Sequence, residues 1–263
     1  MLSNYNQYDY KKEFWDSGMR EYEHRIEFNL IQRLLTKNKI RQAHIADIGC
    51  GFGRLFPAYE PFANSFTLVD YSSSMLDQAK STIKTKCPIE FIEGNALQLP
   101  IKDHQMDVTI SIRTLHHLQE YETFFASLYR ITKPNGLVIF EIPNYRHIKN
   151  IIRYMLLNGP SPFKKTISQL GDRFVNYHPS LIYDALPSAG LQLIQKVNLS
   201  FFRSTFFKDT IPTNYLVRLD EWAQSSLSWT DLTPSIYCVC KTMLASSNKN
   251  SDKSAGYIMP TLA

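Results

Sequence analysis

The stretch that decides the fold reads Ile45-Ala46-Asp47-Ile48-Gly49-Cys50-Gly51-Phe52-Gly53-Arg54-Leu55. An apolar run ends in an acid, and glycine then occupies every second position of the loop that follows. Glycine lets a backbone turn tightly and approach a ligand with no Cβ between them. A helix that begins after such a loop offers free N–H groups and a positive dipole end to an anionic group. The stretch therefore predicts a strand, a ligand-binding loop and a helix.

Short apolar, β-branched runs alternate with helical patterns from residue 44 onward. The pattern predicts strands at 44–48, 65–69, 89–92, 107–112, 137–142, 193–199 and 236–240, and helices at 54–63, 73–85, 121–131 and 180–189. Pro134-Asn135-Gly136 predicts a turn after the third helix. Continuously apolar strands that alternate with helices predict an α/β fold, in which helices cover both faces of a mostly parallel sheet.

A second acid, Asp70, ends the apolar run that follows the glycine loop. An acid at the tip of the second strand of such a fold commonly accepts hydrogen bonds from ribose hydroxyls, although it could also cap the next helix. The glycine loop upstream favours the ribose role. A dinucleotide-binding motif needs a further glycine at the position of Arg54, so the sequence disfavours a nicotinamide cofactor.

These residues resemble class I S-adenosylmethionine-dependent methyltransferases, in the small-molecule branch of type 11 and quinone-biosynthesis-like enzymes. Residues 47–53 resemble the family's first motif, D-x-G-x-G-x-G, and residues 69–76 resemble the second. Residues 94–100 resemble the third motif, with Asn95 where Asp is usual, and residues 106–118 and 128–139 resemble the fourth and fifth. The resemblance extends over residues 47–142.

The resemblance implies a Rossmann-like sheet of seven mostly parallel strands with the last strand antiparallel, helices on both faces and helical cap insertions. It implies S-adenosyl-L-methionine as the cofactor and no metal site. The cofactor-binding residues that it implies are Asp47, Gly49, Cys50, Gly51, Gly53, Asp70, Tyr71, Met75, Asn95, Ala96, Ile112 and Arg113. Arg113 could face the cofactor carboxylate, an anionic substrate or solvent.

His116 is the candidate catalytic residue, because it follows the fourth strand, where the resemblance places the transferred methyl group. It could act as a general base. The alternative is that His116 and His117 line the pocket or cap the next helix.

Composition and charge narrow the class of protein. Hydrophobic residues make up 44% of the 263 residues, which excludes disorder as a description of the whole chain. No apolar run is long enough to span a membrane, and we expect a cytoplasmic protein. Residues 143–178 hold six Lys and Arg against one Asp, a surplus equal to the net charge of +5 of the whole chain. Because this charge is local, a nucleic-acid partner is not expected.

Residues 148–157 predict an amphipathic helix. Apolar side chains recur at 148, 151, 152, 155 and 156, while Lys149 and Arg153 lie on the opposite side. We expect this helix to cover a small acceptor that is hydrophobic and anionic, or to contact a membrane surface peripherally. The alternative is that its apolar stripe packs on the domain and its charges are solvated.

The sequence divides into five parts. Residues 1–40 predict N-terminal cap helices, 41–142 the Rossmann-like cofactor core and 143–178 a basic helical insertion. Residues 179–244 predict the C-terminal part of the sheet with an aromatic insertion at 201–207, and 245–263 a disordered tail.

The sequence thus predicts methyl transfer from S-adenosylmethionine to a small acceptor, with the methylated atom (O, C or N) left open. Two alternatives remain: a nicotinamide-dependent oxidoreductase, and a non-catalytic module that binds adenosylmethionine.

Overall fold

A computed structural model of the protein describes residues 20–171 and 174–244. Seven strands form the main sheet, in the order β3-β2-β1-β4-β5-β9-β8. Their bounds are β1 Ala43–Ile48, β2 Ala63–Asp70, β3 Ile89–Glu93, β4 Met106–Ser111, β5 Thr132–Pro143, β8 Leu191–Leu199 and β9 Ser235–Thr242. In this sheet of the described residues, β9, the last strand, runs antiparallel to both of its neighbours, and the pairs among β1 to β5 are parallel. The predicted fold class is confirmed.

Eight α-helices are described: α1 Glu21–Lys37, α2 Phe56–Tyr59, α3 Ser73–Thr82, α4 Tyr121–Ile131, α5 Ile148–Leu157, α6 Pro179–Ala185, α7 Thr205–Thr210 and α8 Thr213–Leu227. Two 3₁₀ turns, Glu60–Phe62 and Leu115–His117, and a separate antiparallel pair, β6 Ile167–Leu170 with β7 Phe174–Tyr177, complete the described elements. Residues 1–19 and 245–263, which include part of the predicted cap and the whole predicted tail, lie outside the described residues.

The sheet is buried on both faces, which is why its strands read as continuous apolar runs. Along β5, Leu137 and Ile139 point into one core and Val138 and Phe140 into the other, because side chains alternate across a strand. The first core contains α1 and α8, and the second contains α4 and α6. The apolar side chains of α1 that are buried in the first core include Ile26, Leu30, Ile31, Leu34 and Leu35.

Two predicted elements differ from the structure at prolines. The helix predicted at 54–63 is only α2 followed by a 3₁₀ turn, because Pro61 has no N–H to donate to the preceding turn. The turn predicted at Pro134-Asn135-Gly136 lies inside β5. Pairing with β4 begins at Thr132, breaks, and resumes at Leu137, so the three residues form an irregularity in a continuing strand.

The helices predicted at 73–85 and 180–189 end earlier, at Thr82 and Ala185. The insertion at 143–178 was predicted to be helical, and its first half is α5 as expected. Its second half is the β6–β7 pair, which was missed because four-residue strands carry little periodicity.

Buried polar contacts hold helix α1 against helix α8 in the first core. The Tyr22 hydroxyl donates to the Asp220 carboxylate of α8. Asp220 also accepts hydrogen bonds from Gln224 Nε2 at 2.7 Å and from the Phe201 N–H at 2.8 Å. The position of α1 matters because α1 also reaches the candidate site.

No helix among the described residues is both long enough and apolar enough to cross a membrane.

We expect Tyr22→Phe to lower the free energy of unfolding by about 1–3 kcal/mol, because the buried Asp220 carboxylate loses a donor and keeps its desolvation cost. Denaturant unfolding followed by circular dichroism measures the change. Tyr215→Phe is the control, since Tyr215 is 61% exposed on α8. Equal stabilities of the two variants would contradict this account of how α1 is anchored.

Candidate functional site

A cavity opens at the carboxyl ends of β1, β2 and β4, the edge at which open α/β sheets bind ligands. The residues that line it are Asp47, Ile48, Gly49, Cys50, Gly51, Phe52, Arg54, Leu55, Val69, Asp70, Tyr71, Ser72, Met75, Gly94, Asn95, Ala96, Ile112, Arg113, Thr114, His117 and Leu118. Eleven of the twelve cofactor-binding residues predicted from the sequence are among them. The structure does not place Gly53 or His116 in the lining.

The three glycines of the loop answer different physical needs. Gly51 has a φ of +56°, and a Cβ built on it would meet no atom within 4 Å, so it borders open space in the cavity. A Cβ on Gly49 would lie 2.1 Å from Thr114 Oγ1, so Gly49 allows the 112–114 segment to approach. A Cβ on Gly53 would lie 2.7 Å from Ile83 Cδ1, which gives Gly53 a packing role beside α3. Only Gly51 therefore leaves space that a ligand could fill.

The Asp70 carboxylate is held at the tip of β2 by two backbone groups. Its Oδ2 accepts the Gly51 N–H at 2.7 Å, and its Oδ1 accepts the Ser72 N–H at 2.9 Å. Burial raises the pKa of Asp70, while these hydrogen bonds oppose the shift. Each oxygen keeps capacity for a further donor, such as a hydroxyl of a ligand. Asp70 thus orders the loop before α3, and it also lines the cavity, where the ribose role stays a prediction.

Asp47 ends β1 beside the same cavity. Its Oδ2 accepts the Tyr59 hydroxyl at 2.8 Å. Burial, with a smaller contribution from the charge of Asp70, raises the pKa of Asp47 to about 7, although the Tyr59 hydrogen bond opposes it. A positively charged ligand group next to this carboxyl would favour its ionised form. The paired acids thus make the site suited to a cation.

Behind the glycine loop lies a buried ion cluster. Glu27 of α1 accepts Arg54 Nη2 at 2.5 Å, and it accepts Arg113 Nε at 3.0 Å and Nη2 at 2.5 Å. Burial alone would raise the pKa of Glu27, but the guanidinium groups of Arg113 and Arg54 outweigh it and lower the pKa to about 2. Both arginines also line the cavity. The cluster thus links α1 to the loop after β1 and to the segment after β4, and both of these line the site.

The sequence left three roles open for Arg113, one of which was a side chain directed to solvent. The structure excludes that one. The Arg113 guanidinium contacts Glu27, and the backbone N–H of this residue donates to Glu141 Oε2 at 3.0 Å with a φ of +58°. The role of Glu27 was missed. Its only signal in the sequence is an acid on the apolar face of a helix.

The two histidines take different positions in the 3₁₀ turn that follows β4. Their rings lie 3.9 Å apart, centroid to centroid, and each contacts the ring of Phe174. Only His117 lines the cavity. Burial, the neighbouring His117 and Arg113 hold the pKa of His116 well below its usual value, so its imidazole is neutral at pH 7. The sequence could not separate these residues, because the turn decides which ring faces inward.

Within 20–171 and 174–244, no group of three or more His, Cys, Asp or Glu side chains is arranged to hold a metal ion.

Comparison with known proteins gives a consistent set of relatives. Residues 46–140 match the family model described as "Methyltransferase domain". The chain is 31% identical over 120 residues to the malonyl-[acyl-carrier protein] O-methyltransferase of Buchnera aphidicola, covering 43% of this chain and 47% of that protein. It is 34% identical over 100 residues to the demethylmenaquinone methyltransferase of Lactococcus lactis, covering 36% and 40%. The chain therefore spans about half the length, or less, of these curated relatives.

Among solved structures, an S-adenosylmethionine-dependent methyltransferase from Mesorhizobium loti superposes with a TM-score of 0.57. The match covers 82% of this chain and 97% of that chain at 14% sequence identity. At this identity the likeness supports the fold.

We expect Glu27→Gln to lower the free energy of unfolding at pH 7 by about 3–5 kcal/mol, because it leaves two buried guanidinium groups without their carboxylate. Glu21→Gln is the control, since Glu21 forms an exposed pair with Arg25 on the same helix.

The difference between Glu27→Gln and the unsubstituted protein should also depend on pH. The folded-state pKa of Glu27 lies below its ordinary value of 4.5, so its stabilisation is full above that pH and is lost as the pH falls toward about 2. Denaturant unfolding should show the difference shrink from about pH 5 to about pH 3. A constant difference would contradict the assignment.

Proposed function

We propose, from the methyltransferase domain at residues 46–140, that this protein is a class I S-adenosylmethionine-dependent methyltransferase that acts on a small molecule. The family match and the relatives support the resemblance read from the sequence, and the sheet has the predicted seven strands with the last one antiparallel. We propose three things here: the methyl transfer itself, the class of its acceptor and the roles of single residues.

The single observation that carries the proposal is the open space at Gly51 between two buried acids. A Cβ on Gly51 would project into the cavity, while Asp70 and Asp47 hold their carboxyls at the adjacent strand ends. Adenosylmethionine has a ribose with two hydroxyls and a cationic sulfonium, which are the groups that these two acids suit. The residues present therefore fit the cofactor.

Other lining residues would hold the remaining parts of the cofactor. Tyr71, Met75, Asn95 and Ala96 lie on the side of Asp70, where an adenine would stack on apolar groups and bond to an amide. Arg113 lies on the opposite wall, where the cofactor carboxylate would find a cation. Gly49 and Cys50 complete the loop between them.

When bound, the cofactor supplies a methyl group already activated by the sulfonium. The chain has to orient the acceptor, exclude water and, for a hydroxyl or amine acceptor, remove a proton. Positioning alone can contribute about 7–11 kcal/mol in well-oriented cases. His116 stays the sequence-based candidate for a base, and His117 is the imidazole that borders the cavity. A general base that borders the cavity would increase the rate of methyl transfer by about 10²–10⁴-fold.

We infer a hydrophobic acceptor that carries negative charge. Ile112 and Leu118 are apolar lining residues, and the guanidinium groups of Arg54 and Arg113 exceed the single carboxylate of Glu27 by one positive charge beside the cavity. The names of the relatives refer to malonyl-[acyl-carrier protein], which has a carboxylate, and to demethylmenaquinone, which is apolar.

A cytoplasmic location is part of the proposal and suits the four free cysteines. Contact with a membrane surface through residues 148–157 is a separate proposal, because its support comes from the surface of α5.

The two rival functions can be separated from this one by ligand and turnover measurements. A nicotinamide-dependent oxidoreductase would bind NAD, and Arg54 in place of the motif's glycine disfavours it. A non-catalytic module would bind adenosylmethionine without turnover. Production of S-adenosylhomocysteine with a hydroquinone, a catechol or a malonyl thioester would establish the transferase. Binding without product for every acceptor class would favour the module.

We expect Gly51→Val to weaken adenosylmethionine binding by at least about 100-fold, or about 2.7 kcal/mol, because the side chain would fill the space that the ligand needs. Gly171→Val is a matched control. Gly171 has a similar φ of +65° and also has no atom within 4 Å of its Cβ position, but it does not line the cavity. Calorimetric titration measures affinity, and thermal unfolding checks that both variants fold. Near-normal affinity of folded Gly51→Val would show that this loop is not the site.

The affinity for adenosylmethionine should rise with pH between about 6 and 7.5. Asp47 has a folded-state pKa of about 7, and a cationic ligand selects its ionised form, so affinity should fall by up to about tenfold per pH unit below that value. Methylthioadenosine, which carries no charge, is the control ligand and should bind with little pH dependence. Equal pH profiles for the two ligands would remove Asp47 from the cation-binding role.

A further inference from the structure

Helix α5 presents an apolar surface to solvent. Met155, Leu156 and Leu157 are 73%, 75% and 74% exposed, and Ile148 and Ile152 are nearly half exposed. None of the ten residues of α5 is buried. The ring of Tyr154 lies 6.0 Å from that of Phe163, which is also exposed and follows the helix. We call these exposed side chains of α5, with Phe163, the α5 surface.

The α5 surface is not part of the candidate site. No residue of 148–157 lines the cavity. The helix is attached through its first turn, where the Ile148 N–H donates to the Leu232 carbonyl and Asn150 Nδ2 donates to the Tyr145 carbonyl, both at 2.8 Å. The helix therefore projects from the domain: Ile148, Ile151 and Ile152 are partly covered, while Met155, Leu156 and Leu157 are largely exposed.

The segment that carries the α5 surface is basic. Residues 142–171 contain five Lys and Arg and no acid. Lys149, Arg153 and Lys164 are exposed, while Lys165 pairs with Asp184 at 2.8 Å. At about 100° per residue, the side chains of 148, 151, 152, 155 and 156 cover an arc of about 140°, and Lys149 and Arg153 lie beyond one edge of it, about 20° and about 60° past Leu156. An exposed apolar arc thus has two cations along one edge, and neither forms an ion pair within residues 20–171 and 174–244.

We propose that the α5 surface docks on the headgroup region of a membrane that contains anionic lipid. Apolar side chains of such a helix enter the boundary between headgroups and acyl chains. Lys and Arg beside them extend to the lipid phosphates, and the surface potential of an anionic leaflet attracts them. The surface needs no cofactor, so the proposal is independent of the proposed methyl transfer.

Charge complementarity selects this occupant over a second copy of the chain. In a two-fold symmetric dimer the same patch meets itself, so Lys149 and Arg153 would face the same cations of the partner copy. An anionic bilayer provides both the apolar phase and the opposite charge. It also suits an apolar acceptor, which would concentrate in the membrane next to the protein.

Vesicle sedimentation tests the proposal with two pairs of variants. Met155→Ser with Leu156→Ser removes apolar area, and Lys149→Glu with Arg153→Glu reverses charge. The matched controls are Tyr215→Ser with Leu219→Ser, which remove exposed apolar groups from α8, and Lys84→Glu with Lys86→Glu, which reverse two exposed charges elsewhere. Vesicles of three parts phosphatidylcholine to one part phosphatidylglycerol are compared with pure phosphatidylcholine. Adenosylmethionine calorimetry and size-exclusion chromatography are run on every variant.

We expect the unsubstituted protein to bind the anionic vesicles more tightly than the neutral ones. Each α5 variant should weaken that binding by about tenfold or more, while the controls and the cofactor affinity stay unchanged. The proposal is overturned if the protein does not bind anionic vesicles, or if the α5 variants bind them as well as the controls do. A dimer that only the α5 variants dissociate would assign the surface to a second copy. Loss of turnover on a water-soluble acceptor, with vesicle binding intact, would assign it to a lid.

Discussion

The Asp70 carboxylate accepts the N–H of Gly51, and this hydrogen bond joins the tip of β2 to the loop that leaves β1. Parallel strands end at the same edge of a sheet, so the two motifs meet there although 19 residues separate them. The contact directs the loop outward and leaves open space at Gly51. It also places Asp70 near Asp47 in a buried setting, and burial raises the pKa of both acids. The shape of the cavity and its preference for a cation follow from the same constraint.

The opposite wall of the cavity depends on a contact between elements that are far apart in the chain. Glu27 of α1 pairs with Arg54 of the loop and with Arg113, which follows β4. A buried carboxylate is tolerated only when its charge is paired, so α1 must pack where both guanidinium groups can reach it. The Tyr22–Asp220 contact holds the same helix to α8. Helix α1 therefore couples the packing of the first core to the geometry of the site.

The fold hosts many chemistries, so the architecture alone does not identify the acceptor. Two features of this chain bear on the acceptor. One is the pair of arginines at the cavity, which brings positive charge to a partly apolar site. The other is α5, whose residues 155–157 are largely exposed within the described part of the chain and which carries Lys149 and Arg153. These two features are the basis of the proposed acceptor and of the proposed membrane contact.

The sequence by itself determined the strands and the glycine loop, because these depend on short-range patterns, and its resemblance to a family implied the seven-stranded sheet and most of the lining residues. Alternating apolar runs located the main strands to within a few residues, and the positions of Asp47, Gly51 and Asp70 at strand ends follow from where those runs stop. Helix α5 was predicted with its observed bounds, since a strong 3.6-residue period needs no tertiary information. Where the chain's periodicity was short or interrupted, as in β6 and β7 or at Pro134, the prediction was incomplete or wrong.

Only the tertiary structure decided the rest of the site. The spacing of Glu27 and Arg113, 86 residues apart, contains no sign of their contact. Which of two adjacent histidines faces the cavity, and whether the apolar stripe of α5 is covered, also depend on how separate elements pack. Local sequence specifies the period and the turns of a segment. Burial and ion pairing are set by the segments that pack against it, so these properties appear only when the chain is folded.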